Sequence, residues 1–244
     1  MPRFFISPDQ ITNQRFHLAG SEAHHALHVL RKKVGDTIDL FDGKDRSYRG
    51  RIDSIQGDEI FGKLVETAPK TKSMPFELRL CPALIKAAKW DWLIEKACEI
   101  GVTRLTPLAA ARSVVKIGRA EVQDKLERWQ RIVLSASKQC GRSQVMIVEA
   151  PVEVPGILRQ RHPQTLTLMP SEKESSLTVR QACEGYQGSE VEILVGPEGG
   201  WEPLELEQAA RSGARSVRLG PTLLRSETAG LVACTLALAA LGVY

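Results

Sequence analysis

Two short stretches near the carboxyl end hold residue types that could do chemistry. Val195-Gly196-Pro197-Glu198-Gly199-Gly200 places a carboxylate in a glycine-rich turn. Leu223-Leu224-Arg225-Ser226-Glu227-Thr228-Ala229 places a guanidinium and a second carboxylate two residues apart. Gly196, Gly199 and Gly200 lack a Cβ, so the backbone can adopt positive φ and a ligand can come close to it. Arg225 stays charged and offers a planar fork of donors. Glu198 and Glu227 can accept a proton or pair with a cation. This equipment suits holding a ready-activated ligand and placing a nucleophile beside it. The plainer reading is that strand ends of any α/β protein are punctuated this way.

Other catalytic apparatus is missing from the sequence. There is no G-x-G-x-x-G dinucleotide fingerprint, no phosphate loop, no G-x-S-x-G elbow and no H-E-x-x-H. Cys98 and Cys140 fall inside helical patterns and read as packing residues. His24 and His28 are four apart with His25 between them, but no acidic residue or cysteine completes a site nearby, so no metal is expected.

The elements that must position the two stretches alternate. Glu77–Cys81 reads as a strand, Leu84–Ile100 as a helix stopped by Gly101, and 103–108 as the next strand. Val122–Cys140 is a long helix with Leu126, Trp129 and Val133 on one stripe. A short strand at 145–148, a helix at 152–161, a strand ending Leu168-Met169-Pro170 and a helix at 177–185 follow. The run Val191–Val195 is short and mostly apolar, as a central parallel strand should be. It ends in Gly196-Pro197, and Pro203 with acidic neighbours suits the first turn of the next helix. Ser216–Leu219 ends in Gly220-Pro221, and Ala229–Tyr244 reads as a buried helix. Three strands therefore end in proline, and if they lie side by side their loops converge on one pocket at the sheet's carboxyl edge. Residues 1–70 differ: short strands at 37–41, 48–55 and 60–65, with a helix at 21–30 capped by Ser21, suggest a small barrel. The polar stretch 68–75 suggests a domain boundary, giving 1–72 and 73–244.

The chain has 244 residues and a formal charge of +4 that is unevenly spread. Residues 79–142 carry 13 basic and 6 acidic side chains, whereas 143–244 carry 8 and 12. A basic middle suggests a surface for a polyanion, and equally a pair of solvated amphipathic helices. Five widely spaced cysteines without C-x-x-C point to a reducing, cytoplasmic setting rather than a disulfide frame. No signal segment and no membrane span are expected.

Taken together, the pieces resemble the SPOUT methyltransferases, and within them the RsmE family. The matching residues are Lys89–Val102 (KWDWLIEKACEIGV), Arg112–Lys116 (RSVVK), Gln139–Arg142 (QCGR), Val195–Gly200 (VGPEGG) and Leu219–Ala229 (LGPTLLRSETA). Cys98 stands where many relatives have threonine. The resemblance implies an α/β SPOUT-type parallel sheet with a C-terminal trefoil knot, preceded by a PUA-like β-barrel that binds RNA. It implies S-adenosyl-L-methionine as donor, N3 of a uridine in small-subunit (16S) ribosomal RNA as acceptor, the assembled subunit as substrate, and a homodimer. Two other functions are open: a non-catalytic RNA-binding protein on this scaffold, and a SPOUT enzyme acting on transfer RNA ribose.

On this resemblance the donor is expected at Leu168, Met169, Pro170, Gly196, Pro197, Gly199, Gly200, Leu219, Gly220, Leu223, Leu224 and Arg225. No side chain is expected to be tolerated at Gly199 or Gly200. RNA is expected along Arg112, Lys116, Arg128, Arg131 and Arg142. N3 of uridine carries a proton and is a poor nucleophile until it leaves, so catalysis requires a group that steadies the anionic base or takes the proton. Arg225 is the expected stabiliser, with Glu227 or Glu198 as base. Glu227 paired to Arg225, or capping the last helix, and Glu198 holding its turn are the structural alternatives.

Overall fold

The computed structural model describes residues 2–68 and 74–244. The expected boundary at 72/73 lies outside the described residues. The chain divides into two compact units, Met1–Ser73 with Leu134–Val145, and Met74–Val133 with Met146–Tyr244.

The first unit holds β1 (Arg3–Phe5), β2 (Ile11–Thr12), β3 (Arg15–Leu18), α1 (Gly20–His24), β4 (Thr37–Phe41), β5 (Ser47–Gln56) and β6 (Glu59–Ala68). Among the described residues the strands form one sheet in the order β1-β4-β5-β6-β3-β2, antiparallel except for β1 with β4. No pair joins β1 to β2, so the expected barrel is, by hydrogen bonding, an open sheet. It curls around one core of Phe4, Phe16, Leu18, Ile38, Leu40, Ile52 and Ile60. The Phe16 ring lies on Gly50 and Gly62, where a Cβ would come within 2.4 and 2.5 Å of it. The expected Ser21 cap is not made. The helix starts one residue earlier from Ala19, without a side-chain cap, and His25–Val29 continue it as a wider π turn. The rings of His24 and His28 lie 4.5 Å apart and tilted by 40°, and His28 meets Asp58 at 2.8 Å.

The second unit begins with β7 (Glu77–Pro82), α2 (Ala87–Ile100), β8 (Arg104–Leu105) and β9 (Leu108–Ala109). Then come α3 (Val122–Cys140), whose last turns belong to the first unit, β10 (Ile147–Val148), β11 (Val152–Glu153) and α4 (Val154–Gln160). β12 (Leu166–Pro170), α5 (Val179–Cys183), β13 (Glu190–Val195), α6 (Pro203–Arg211), β14 (Arg215–Val217) and α7 (Ser226–Ala240) complete it. The alternation produces the expected parallel sheet, ordered β10-β8-β7-β13-β12-β14. One face packs α4 and α6 through Cys81, Leu194, Met169, Ile157 and Ala209. The other packs α2, α5 and α7, with Gly230 against Leu80 and Val195. Gly101 ends α2 at φ 102°, in the left-handed region that glycine adopts without strain.

Several boundaries shift, α2 beginning at Ala87 rather than Leu84 among them. The expected strand at 103–108 is split by Thr106 and Pro107. Residues 152–153 are a strand that pairs with β9 before α4 begins. The last helix starts at Ser226, not Ala229, which puts Glu227 in its first turn. No helix of the described residues is long and apolar enough to cross a membrane, and no disulfide joins the cysteines.

A buried carboxylate interrupts β13. Glu192 is 1% exposed and faces Arg79 at 3.8 Å, with Thr167 Oγ1 donating to it at 3.4 Å. Burial pushes its carboxyl up to about 7, more than Arg79 pulls it down. A carboxyl raised on folding binds its proton more tightly when folded. Its contribution is therefore intact near pH 4.5 and is lost as pH rises through 7. The shift corresponds to about 3 kcal/mol over that interval. Glu192→Gln should accordingly gain stability over the native chain as pH rises from 5 to 8. Urea melts followed by circular dichroism test this, and a constant difference across pH would show that Glu192 is not the titrating group.

Candidate active site

The register brings the three proline-ended loops together. Val195 lies opposite Pro82, Leu168 opposite Ile193, and Pro170 opposite Val217. Four parallel strands in the order β7-β13-β12-β14 thus end at one level, and the segments after Pro82, Val195, Pro170 and Val217 leave from one edge. Leu168 and Met169 are buried beneath that edge, Leu219 and Leu224 are half-buried, and Leu223 is exposed.

The glycine turn is fastened on several sides. Ser226 Oγ donates to the Gly196 carbonyl at 2.8 Å, which ties the first turn of α7 to the end of β13. The Trp201 indole lies over Gly196, where a Cβ would come within 2.9 Å of the ring. Arg112 donates to the Gly199 carbonyl at 3.2 Å and to Glu202 at 3.0 Å. Buried Glu205 accepts from the amides of Ala111 and Glu202, each at 2.9 Å. The glycines therefore have different tasks. Gly196 has no room for a side chain. Gly200 needs its φ of 69°. At Gly199 a Cβ would meet Arg112 at an ordinary 3.5 Å, so the protein's own atoms leave room there.

The charges pair differently from either sequence reading. Glu227 does not meet Arg225. Its Oε1 faces Lys89 Nζ at 3.3 Å, and the same ammonium donates to Glu198 at 2.7 Å. Lys89 sits in the first turn of α2, so three elements contribute one charge each. Glu227 is 9% exposed in its side chain, and its Oε2 is buried with no hydrogen-bond partner among the described residues. Glu198 is exposed, and the Lys89 hydrogen bond holds its carboxyl below the usual range. Arg225 stands exposed at the N-cap position of α7, in no ion pair among the described residues, near enough to Glu198 to act on it through charge. Lys89 is the site residue that sequence reasoning missed. Its only signal was its place at the head of the KWDWLIEKACEIGV run.

The five basic residues expected on RNA have different settings. Arg112 is committed to the glycine turn, and Arg128 pairs with Asp91. Arg131 is exposed but reaches back to the Glu127 carbonyl at 3.3 Å. Lys116 is exposed on the loop before α3. Arg142 lies in the 134–145 segment of the first unit.

A family model described as an RNA methyltransferase domain matches residues 72–238, and one described as an RNA methyltransferase PUA domain matches 18–65. A ribosomal RNA small subunit methyltransferase E from Rickettsia conorii is 31% identical over 239 residues, 95% of this chain and 92% of that one. The chain belongs to the ribosomal RNA small subunit methyltransferase E family. The crystal structure of the family's member from Neisseria gonorrhoeae, bound to S-adenosyl methionine, superposes with a TM-score of 0.87 at 28% identity, covering 98% of this chain and 97% of that one. A putative methyltransferase from Legionella pneumophila, in complex with the same cofactor, superposes at 0.85 and 26% identity, over 98% and 97%.

The residues at the strand edge fit such a donor. Glu198 and Glu227 place two carboxylates there around Lys89, with Lys86 and Arg225 also acting on Glu198. The buried Trp201 Nε1 and Glu227 Oε2 also lack hydrogen-bond partners among the described residues. The glycine contrast can be tested directly. Gly196→Ala must displace the Trp201 indole and should weaken donor binding at least ~10-fold at a stability cost of about 1–3 kcal/mol. Gly199→Ala should bind within about twofold of the native chain, because that Cβ makes only ordinary contact. Calorimetric titration with S-adenosylmethionine would expose the assignment as wrong if the two variants behaved alike.

Proposed function

We propose that this chain transfers a methyl group from S-adenosylmethionine to N3 of a uridine in small-subunit ribosomal RNA. The observation that carries this reading is the edge where four strand ends, the glycine turn and the Lys89–Glu198–Glu227 cluster meet, in a chain of this family. The bound donor supplies a methyl on a positively charged sulfur that leaves as a neutral thioether. Backbone groups at Leu168, Met169, Gly196, Leu219 and Leu224 would hold it, with Met169 beneath. The chain's own residues must then prepare the nucleophile. Arg225, exposed and in no ion pair among the described residues, donates to a uracil oxygen and steadies the anion formed at N3. Glu227 takes the proton, being buried with one oxygen unpartnered. Glu198 is the poorer base because it is exposed and takes the shorter Lys89 contact, 2.7 Å against 3.3 Å to Glu227. A binding platform without catalysis has no use for a buried carboxylate left half unsatisfied.

The same reading extends to the first unit. Residues 1–72 form a PUA-like RNA-binding domain ahead of a catalytic domain at 73–244, and the protein acts in the cytoplasm on the assembled small subunit. A C-terminal trefoil knot belongs to the same reading and rests on the family resemblance. A homodimer is supported by the outer side of α7, where Leu231, Val232, Leu236 and Ala239 keep exposure despite being apolar. Light scattering should give twice the 26.9 kDa chain mass, and Leu236→Lys should halve it.

Nucleoside mass spectrometry of small-subunit RNA, after incubation of unmodified subunits with the protein and donor, should yield N3-methyluridine. A ribose-methylated product would replace this reading with the transfer-RNA-type chemistry, and no product would favour the platform. In the same assay Arg225→Lys keeps the charge and loses the fork. It should slow transfer by about 10-fold or more with donor affinity preserved.

A further inference from the structure

Lys89 differs from the other ion-paired lysines in what it joins. Lys96 sits between two carboxylates of its own helix, Glu95 and Glu99. Lys89 instead reaches out of α2 to two separate elements, the exposed Glu198 of the glycine turn at 2.7 Å and the buried Glu227 of α7 at 3.3 Å. It touches only one oxygen of Glu227, and the other is buried without a donor. An unpaired buried carboxylate oxygen costs free energy unless something supplies the missing hydrogen bond. The imino N–H of a uracil is such a donor.

We propose that Lys89 is a positioning residue for the transfer: its ammonium, clamped between Glu198 and Glu227, holds the Glu227 carboxylate with its second oxygen turned to the imino proton of the bound base. This rests on the reading that Glu227 accepts that proton. In the step served, Glu227 Oε2 takes the proton from N3 and the N–H electron pair stays on nitrogen. That pair forms the N3–carbon bond as the methyl–sulfur bond breaks, and the electrons of the broken bond remain on sulfur. Glu227, now a carboxylic acid, returns its proton to water. Lys89 supplies the countercharge that a buried carboxylate needs before the base arrives. Glu198 keeps the long lysine side chain in one rotamer. The charges around the cluster are Lys89 from α2, Glu198 from the glycine turn, and Lys86 and Arg225, which act on Glu198 from the start of α2 and the cap of α7.

The test is single-turnover methylation of unmodified small ribosomal subunits at saturating donor, followed against pH. Lys89→Met should slow transfer by about 30-fold and move the acidic limb of the profile upward by about one pH unit, with donor affinity within about twofold. Lys89→Arg restores the cation and should recover the rate to within about fivefold, with the limb near its native position. Should Lys89→Met lose its circular dichroism, Lys89→Gln, which keeps a polar end, carries the same expectation. Glu227→Gln separates the two ideas. If it transfers methyl at the native rate with the native profile, Glu227 is not the base and the reading beneath the proposal fails. If it abolishes the limb while Lys89→Met and Lys89→Gln leave rate and limb unchanged, the role of Lys89 alone is overturned. A loss of rate in Lys89→Met that Lys89→Arg does not repair, with the limb unmoved, would also overturn it.

Discussion

The Ser226 Oγ hydrogen bond to the Gly196 carbonyl joins two parts of the chain that the site needs together. Gly196 ends β13, the strand whose register with β7 and β12 sets the level of the whole carboxyl edge. Ser226 opens α7, so the bond fixes where that helix starts and therefore where Glu227 stands one residue later. With Glu227 fixed on one side and Glu198 on the other, a cation from α2 can bridge them. Trp201 leaning on Gly196 and Arg112 holding Gly199 keep the turn from drifting. The site is thus built from backbone anchoring first and charge second.

The sheet illustrates how a single strand can serve opposite ends of a fold. Along one face of β13, Glu190 and Glu192 meet Arg79 of β7 near the amino end, while Leu194 joins the apolar layer under α4 and α6 at the carboxyl end. Arg104 adds to this polar end by pairing with Glu77 and Glu149, each at 2.6 Å. Part-exposed pairs of this kind contribute little net stability, and at buried Glu192 desolvation outweighs the attraction of Arg79. They do penalise any register other than the one that matches charges, which is the register that levels the strand ends.

Much of this was legible before any coordinates. Parallel strands announce themselves by short apolar runs that end in proline or glycine, and β12, β13 and β14 proved adjacent. The pairing of charges was not legible, because Lys89, Glu198 and Glu227 are far apart in the chain and only the tertiary fold decides which partner a carboxylate finds. Arg225 and Glu227 are sequence neighbours, yet an N-cap residue and a residue in the first turn point different ways. Glu192 hid inside VEILV because one acid in an apolar run does not disturb its periodicity. Helix starts erred where tertiary pairing overrides propensity: Ala83 bridges to Leu108, so α2 cannot begin at Leu84. The π turn at His25–Val29 has no signature in residue type.

The indole over Gly196 has a use beyond holding the turn. All four tryptophans of the chain, Trp90, Trp92, Trp129 and Trp201, lie in the second unit. Trp90 and Trp129 face one another 5.5 Å apart in the α2–α3 packing, and only Trp201 adjoins the glycine turn. Its ring nitrogen is buried with no acceptor among the described residues, and indole emission shifts with the polarity around that nitrogen. The protein therefore carries an optical label at the strand edge, one that needs no added dye.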